Sequence, residues 1–374
     1  MPAELGAEFI HGWPNITLNL LRQACIGVVD TGDKGAWYQD GRVSEIDMDD
    51  GVMELFTKID KRRADLSVDA YLREFESDPS LTKAVAMALR YVKGFDAVDP
   101  PDASSHAIAE EWKRDAGAGR GSYRPLGGYT NLIRFLAESL DPIQTPLMLE
   151  TVVNKIEWNE QVRIHVTRFG EPYTFDAAAV ILTLPIAIFL NDAVKFVPEL
   201  PGKKREAINL LAMGPVVKIV LQFDETFWKH DAALRDVAFI QSSGTAFPSF
   251  WTTVPLRSSL VIAWAGGSDA RVFDGLNRDQ RIEAAQNDLA KVFDLDPAAL
   301  RRRVRSAWHH DWQSDRFAGG AYSYARVGGV GARELLAESL GPLHFAGEAC
   351  ASHGEAGTVA GAFAAGERAA RETE

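Results

Sequence analysis

Apolar residues at helical spacing open the chain's longest regular pattern. Within 15–26, Ile16, Leu18, Leu20 and Leu21 share one side, and Pro14 stands just ahead of them. The spacing predicts further helices over 51–63, 67–75 and 80–92, so that 14–115 reads as a helix-rich block. Between them lies a polar stretch with Gly32, Gly35 and Gly41. Gly117, Gly119, Gly121, Gly127 and Gly128 mark a loop, followed by a helix over 129–140. The period then falls to two: 147–158 and 162–169 read as a hairpin, and the apolar run 177–184 as a strand buried on both faces. A helix over 203–213 and strands at 216–223, 239–241, 250–254 and 260–265 follow. After a helix over 278–293 come strands at 304–308 and 343–346 and an Ala- and Gly-rich helix over 357–371. The alternation predicts a mixed α/β (α+β) protein with interleaved domains.

With 374 residues the chain can hold two domains. Its formal net charge of −12 argues against a nucleic-acid partner and against adhesion to anionic membranes. Apolar runs are too short to span a bilayer, and Cys25 and Cys350 fit no metal or redox spacing, which together point to a soluble protein of the reducing cytoplasm.

Candidate chemistry concentrates near the carboxyl end. A short apolar strand runs into Gly347 and Glu348, then a small-residue loop, then a helix opening at Gly357, Thr358 and Val359. Small residues let a backbone approach a ligand, and a helix start offers free N–H groups. The same residues also suit a close-packed helix with no ligand. On the residues alone, Lys218 suits the solvent side of an edge strand and Tyr322 suits a core. His11 and His353 are acid–base candidates by residue type, whereas adjacent His309 and His310 should face opposite ways and share no site.

The tail HFAGE…GTVAGAFAAGERAA resembles the flavin-binding signature of the flavin-dependent amine oxidases, which include monoamine oxidases, polyamine oxidases and lysine-specific histone demethylases. The resemblance continues in ELGAEFIHG at 4–12, PLGGYTNLIRFLA at 125–137, ILTLPIAIF at 181–189, the long stretch 195–228 and WQSDRFAGGAYSY at 312–324. It implies a two-domain architecture: an FAD-binding, Rossmann-like domain from 1–13, 116–184 and 300–374, and a substrate domain from 14–115 and 185–299. It implies that Gly6, Ala7, Glu8, Gly127, Gly128, Val153, Gly347, Glu348, Gly357, Thr358 and Val359 contact FAD. Lys218 matches the lysine that holds a water near flavin N5, and Tyr322 one wall of the aromatic cage around the amine. Thr358 stands near the opposite wall, and His11 joins the substrate pocket. The residue beside the cage tyrosine is Ala321 rather than cysteine, so non-covalent FAD is expected.

The implied reaction is oxidation of an amine C–N bond to an imine by hydride transfer to flavin N5, with dioxygen as second substrate and hydrogen peroxide as product. The family's amino-terminal GxGxxG unit is not found in the sequence; Gly328, Gly329 and Gly331 follow a polar loop and read as a turn. Three readings follow: a start placed too far downstream, a unit supplied by another polypeptide, or a non-catalytic remnant unable to hold FAD. A related desaturase or porphyrinogen-type oxidase is a further alternative. The particular amine and the oligomeric state are left open.

Overall fold

The computed structural model describes residues 3–32, 34–46, 51–118, 121–159, 161–352 and 354–374. Its largest sheet runs in the order Val304–Trp308, Val216–Phe223, Leu260–Gly266, Ser249–Thr252, Phe239–Ser242, Gly35–Gln39, Arg42–Ile46. Neighbours are antiparallel except Phe239–Ser242 and Gly35–Gln39, which run parallel. The strand Val304–Trp308 thus bonds to Val216–Phe223 across the boundary expected at 300.

Alternation along Val216–Phe223 decides what each side chain meets, because successive residues point to opposite faces. Val217, Ile219, Leu221 and Phe223 enter a core with Phe250, Val261, Ala263 and, from helix Arg278–Val292, Ile282, Ala285 and Leu289. Val220 enters the core of the other face with Trp251, Leu260 and Ile262, and Ala3, Leu5 and Phe9 pack against it. Lys218 shares the parity of Val220, so it faces the segment 3–9. A small sheet of Ile10–His11, Ser122–Pro125 and Val28–Asp30 continues that segment and ties it to the glycine pair.

The expected hairpin is observed as Thr151–Trp158 and Val162–Arg168, extended by Glu171–Ala177 on one side and Lys195–Val197 on the other. The apolar run 177–184 is not one buried strand. Ala177 pairs with Val162, whereas Val180–Leu182 pairs in parallel with Leu343–Phe345, so the run turns between two sheets and leaves Ile181 39% exposed. The helix expected over 203–213 ends at Asn209, and Leu211–Met213 pairs with Ser323–Ala325. Gly117 closes the helix Ser105–Ala118 rather than opening a loop, Ser122–Pro125 is a strand, and Gly119 lies outside the described residues.

Among the described residues no helix is long and apolar enough to cross a membrane, and Cys25 and Cys350 are free thiols. Phe250 is fully buried where the large sheet meets its helical layer. Phe250→Ala should lower the unfolding free energy by about 3–5 kcal/mol in denaturant titrations.

Candidate active site

Lys218 is 3% exposed, which overturns the solvent-facing alternative. Its Nζ donates to Glu8 Oε2 at 2.8 Å and to the Gly6 carbonyl at 3.1 Å. Glu8 Oε1 accepts from Arg124 Nε at 2.9 Å, and Trp251 Nε1 lies 3.1–3.2 Å from both carboxylate oxygens. Arg124 spends its other nitrogens on the carbonyls of Thr252 at 3.0 Å and Val254 at 3.3 Å and stacks over Phe9. Burial pushes the Glu8 carboxyl up, but Lys218 and Arg124 outweigh burial and hold it below the usual carboxylate range. The anion is kept because two cations surround it.

Glu4 extends this cluster. Its Oε1 accepts the N–H of Tyr129, first residue of the helix Tyr129–Glu138, at 2.8 Å. Burial raises its carboxyl. Gly127 and Gly128 precede that helix with φ of +82° and +78°, a left-handed path that favours glycine. A small cavity between the first residues and this turn is lined by Glu4, Glu8, Arg124 and Gly128 among others.

Tyr322 forms a second group. Its hydroxyl donates to the Phe95 carbonyl, and burial together with the charges of Asp96 and Glu348 pushes the phenol pKa up, so the ring is neutral. Gly357 lies so close that a Cβ there would sit 3.0 Å from the Tyr322 ring. Glu348 spans the two segments: Oε2 accepts from Ser323 Oγ at 2.8 Å and from the Gly357 N–H at 3.1 Å. Thr358 caps the helix Val359–Glu372, its Oγ1 accepting from Gly361 N at 2.9 Å. His11 packs edge-on against Phe95, and burial pushes its imidazole down to about 4.

The two groups join through the large sheet. Trp264 is the register partner of Lys218, and its Nε1 donates to the Gly94 carbonyl at 2.6 Å, one residue before Phe95. Gly214, just before the strand of Lys218, donates its N–H to the Tyr322 carbonyl at 2.7 Å. Trp312 donates to the Leu5 carbonyl and stands 3.5 Å from the place of a Cβ on Gly6. Val153 instead pairs with Val166 in the other sheet, and Gly347 adopts φ +101° at the turn into Glu348. His309 and His310 take separate partners. Arg281 Nη1 must donate to His309 Nε2 at 3.0 Å, so Nδ1 carries the proton given to the Lys218 carbonyl at 3.1 Å, while His310 meets Asp315. His353 lies outside the described residues.

Arg124, Trp251, Phe95, Trp264 and Arg281 escaped the sequence reading. One signal was available: Glu8 is the only charge in 5–10 and Lys218 the only charge in 216–223, and isolated charges in apolar stretches need partners.

Comparison with known proteins places the chain in a family and a fold. The model of the family "Flavin containing amine oxidoreductase" matches residues 2–373. Protein FLOWERING LOCUS D of Arabidopsis thaliana is 26% identical over 392 residues, covering 98% of this chain and 48% of that protein. Lysine-specific histone demethylase 2 of Homo sapiens is 31% identical over 256 residues, covering 65% of this chain and 29% of that protein. The chain thus spans less than half the length of these curated relatives. Putrescine oxidase bound to putrescine superposes with a TM-score of 0.81 at 17% identity, covering 99% of this chain and 88% of the other. Cyclohexylamine oxidase from Brevibacterium oxydans IH-35A gives 0.78 at 18% identity, covering 100% and 89%. These two structures establish the shared fold, and the match across nearly every residue establishes the lineage: the chain belongs to the flavin containing amine oxidoreductase family.

Proposed function

We propose that the chain oxidises a C–N bond of a small amine to an imine at the junction of the Lys218 and Tyr322 groups. The carrying observation is that the Lys218 group is joined to the Tyr322 group through Trp264, Gly94 and Phe95, and that Gly357, just before the helix Val359–Glu372, lies against the Tyr322 ring. When bound, FAD supplies the hydride acceptor at N5 and passes the electrons to dioxygen, giving hydrogen peroxide. The residues present fit the ring end of that cofactor. Thr358 occupies the N–H of Gly361, which leaves those of Val359 and Ala360 to be met from outside the helix. Gly6, Ala7, Gly347 and Gly357 offer backbone without bulk, and Gly127, Gly128 and Val153 complete the proposed contacts. Glu348 holds Gly357 against the Tyr322 strand, which is how its carboxylate would serve the site.

Non-covalent binding is supported by Ala321 and by Cys350, whose thiol burial pushes up to about 12, leaving no ready nucleophile. Tyr322 presents a neutral ring to the amine, with Thr358 opposite and His11 beyond Phe95. His11 is a neutral imidazole above about pH 4, so the substrate's own ionisation sets the pH dependence. We place the FAD-binding part in 1–13, 116–184 and 300–374 and the substrate part in 14–115 and 185–299, in a cytoplasmic protein. The net charge of −12 suits a cationic amine approaching from solution. The histone demethylases among the relatives make an N-methyl-lysine peptide the second substrate to try.

The purified chain mixed with FAD should retain flavin absorbance through gel filtration, and an amine such as putrescine should bleach it without NAD(P)H. A chain that takes up no FAD would sink the proposal. Lys218→Met should slow flavin reduction or reoxidation at least tenfold, about 1.4 kcal/mol; stopped-flow rates unchanged in both half-reactions would remove its role. His11→Gln should leave the pH profile between 5 and 8 in place. It should also relieve acid destabilisation. An unfolded histidine gains its proton near pH 6.5 and the folded one near 4, so the native state loses on the order of 3 kcal/mol as pH falls through that window.

A further inference from the structure

Lys218 is gripped at both ends, and the grip on its ammonium comes from a residue whose place in the family motif implied only a flavin contact. Glu8 lies on the segment 3–9, which crosses the even-numbered face of the strand Val216–Phe223. Its carboxylate is shared between Lys218 and Arg124, each below 4% exposed, and is steadied by the Trp251 indole. Glu4, a further titratable neighbour, is turned to the N–H of Tyr129. At the other end, the Lys218 carbonyl accepts from His309 Nδ1, and Arg281 fixes that imidazole.

We propose that Glu8 is a positioning residue that holds Lys218 as a stationary cation facing the reaction centre, with Arg124 and Trp251 holding Glu8 in turn. The inference rests on the catalytic reading of Lys218 given above. Two cations share one buried anion, so removing the anion leaves Lys218 beside Arg124 with no counter-charge. The lysine then gains by shedding its proton.

Two measurements test this. Denaturant unfolding of the native chain, Glu8→Gln, Lys218→Met and the double variant needs no cofactor. The two losses should be strongly non-additive, with a coupling of at least tenfold in the unfolding constant; additive losses would overturn the contact. On the FAD-loaded chain, the rate of flavin reoxidation should be flat with pH between 6 and 9 in the native protein. In Glu8→Gln it should fall with rising pH, and Glu8→Asp should restore part of the flat profile. A Glu8→Gln profile that matches the native one would overturn the positioning role. Should Glu8→Gln fail to fold, Glu8→Asp replaces it in the unfolding cycle, shortening the arm of the anion; losses additive with those of Lys218→Met would again overturn the contact. A chain that binds no FAD defeats the oxidase reading, while the unfolding cycle still decides the contact.

Discussion

One carboxylate organises the middle of this molecule. Glu8 is surrounded by Lys218, Arg124 and Trp251 in a region nearly closed to water. Losing one partner of such a buried pair costs about 3–5 kcal/mol, because the charge left behind has nothing to replace water. The three charges come from a segment near the amino end, the strand before the glycine pair and the second strand of the large sheet. Their pairing therefore holds three distant parts of the chain in one register. The apolar contacts of Ala3, Leu5 and Phe9 add affinity to that docking, but the charges make it specific, since only one placement of the segment satisfies all of them.

The second group works differently, by close approach. Gly357 touches the Tyr322 ring, and Glu348 bonds to both segments, so the Tyr322 segment and the helix start are tied together. The connection from Lys218 runs through its register partner Trp264, whose indole donates to the Gly94 carbonyl, one residue before the Phe95 carbonyl that accepts from Tyr322.

Much of the architecture was legible where one segment carried its own signal. Val216–Phe223 was readable to the residue because six of its eight side chains are apolar. The hairpin Gly35–Gln39 and Arg42–Ile46 was not, because its few large apolar residues, Trp37, Tyr38, Val43 and Ile46, are scattered among polar ones and it is held by pairing with Phe239–Ser242, about two hundred residues further on. The strand Leu211–Met213 was absorbed into the preceding helix for the same reason: its partner Ser323–Ala325 is remote. Within the site, Lys218 and Tyr322 were legible through motif resemblance. Arg124 was not, since nothing beside it in sequence shows that Glu8 will be its neighbour. The sequence reading had His309 and His310 sharing no site, and the two indeed take separate partners, Arg281 fixing the tautomer of His309.

Thr358 links the shape of the pocket to the integrity of the last helix. Gly357 has no room for a side chain, so any bulk on the wall facing Tyr322 has to come from position 358. That residue also closes the first turn of Val359–Glu372 with its hydroxyl. An aromatic ring there would forfeit the cap, a loss of about 1 kcal/mol. Any change at this position is therefore felt twice, once in what stands beside Gly357 and Tyr322 and once in how firmly the last helix begins.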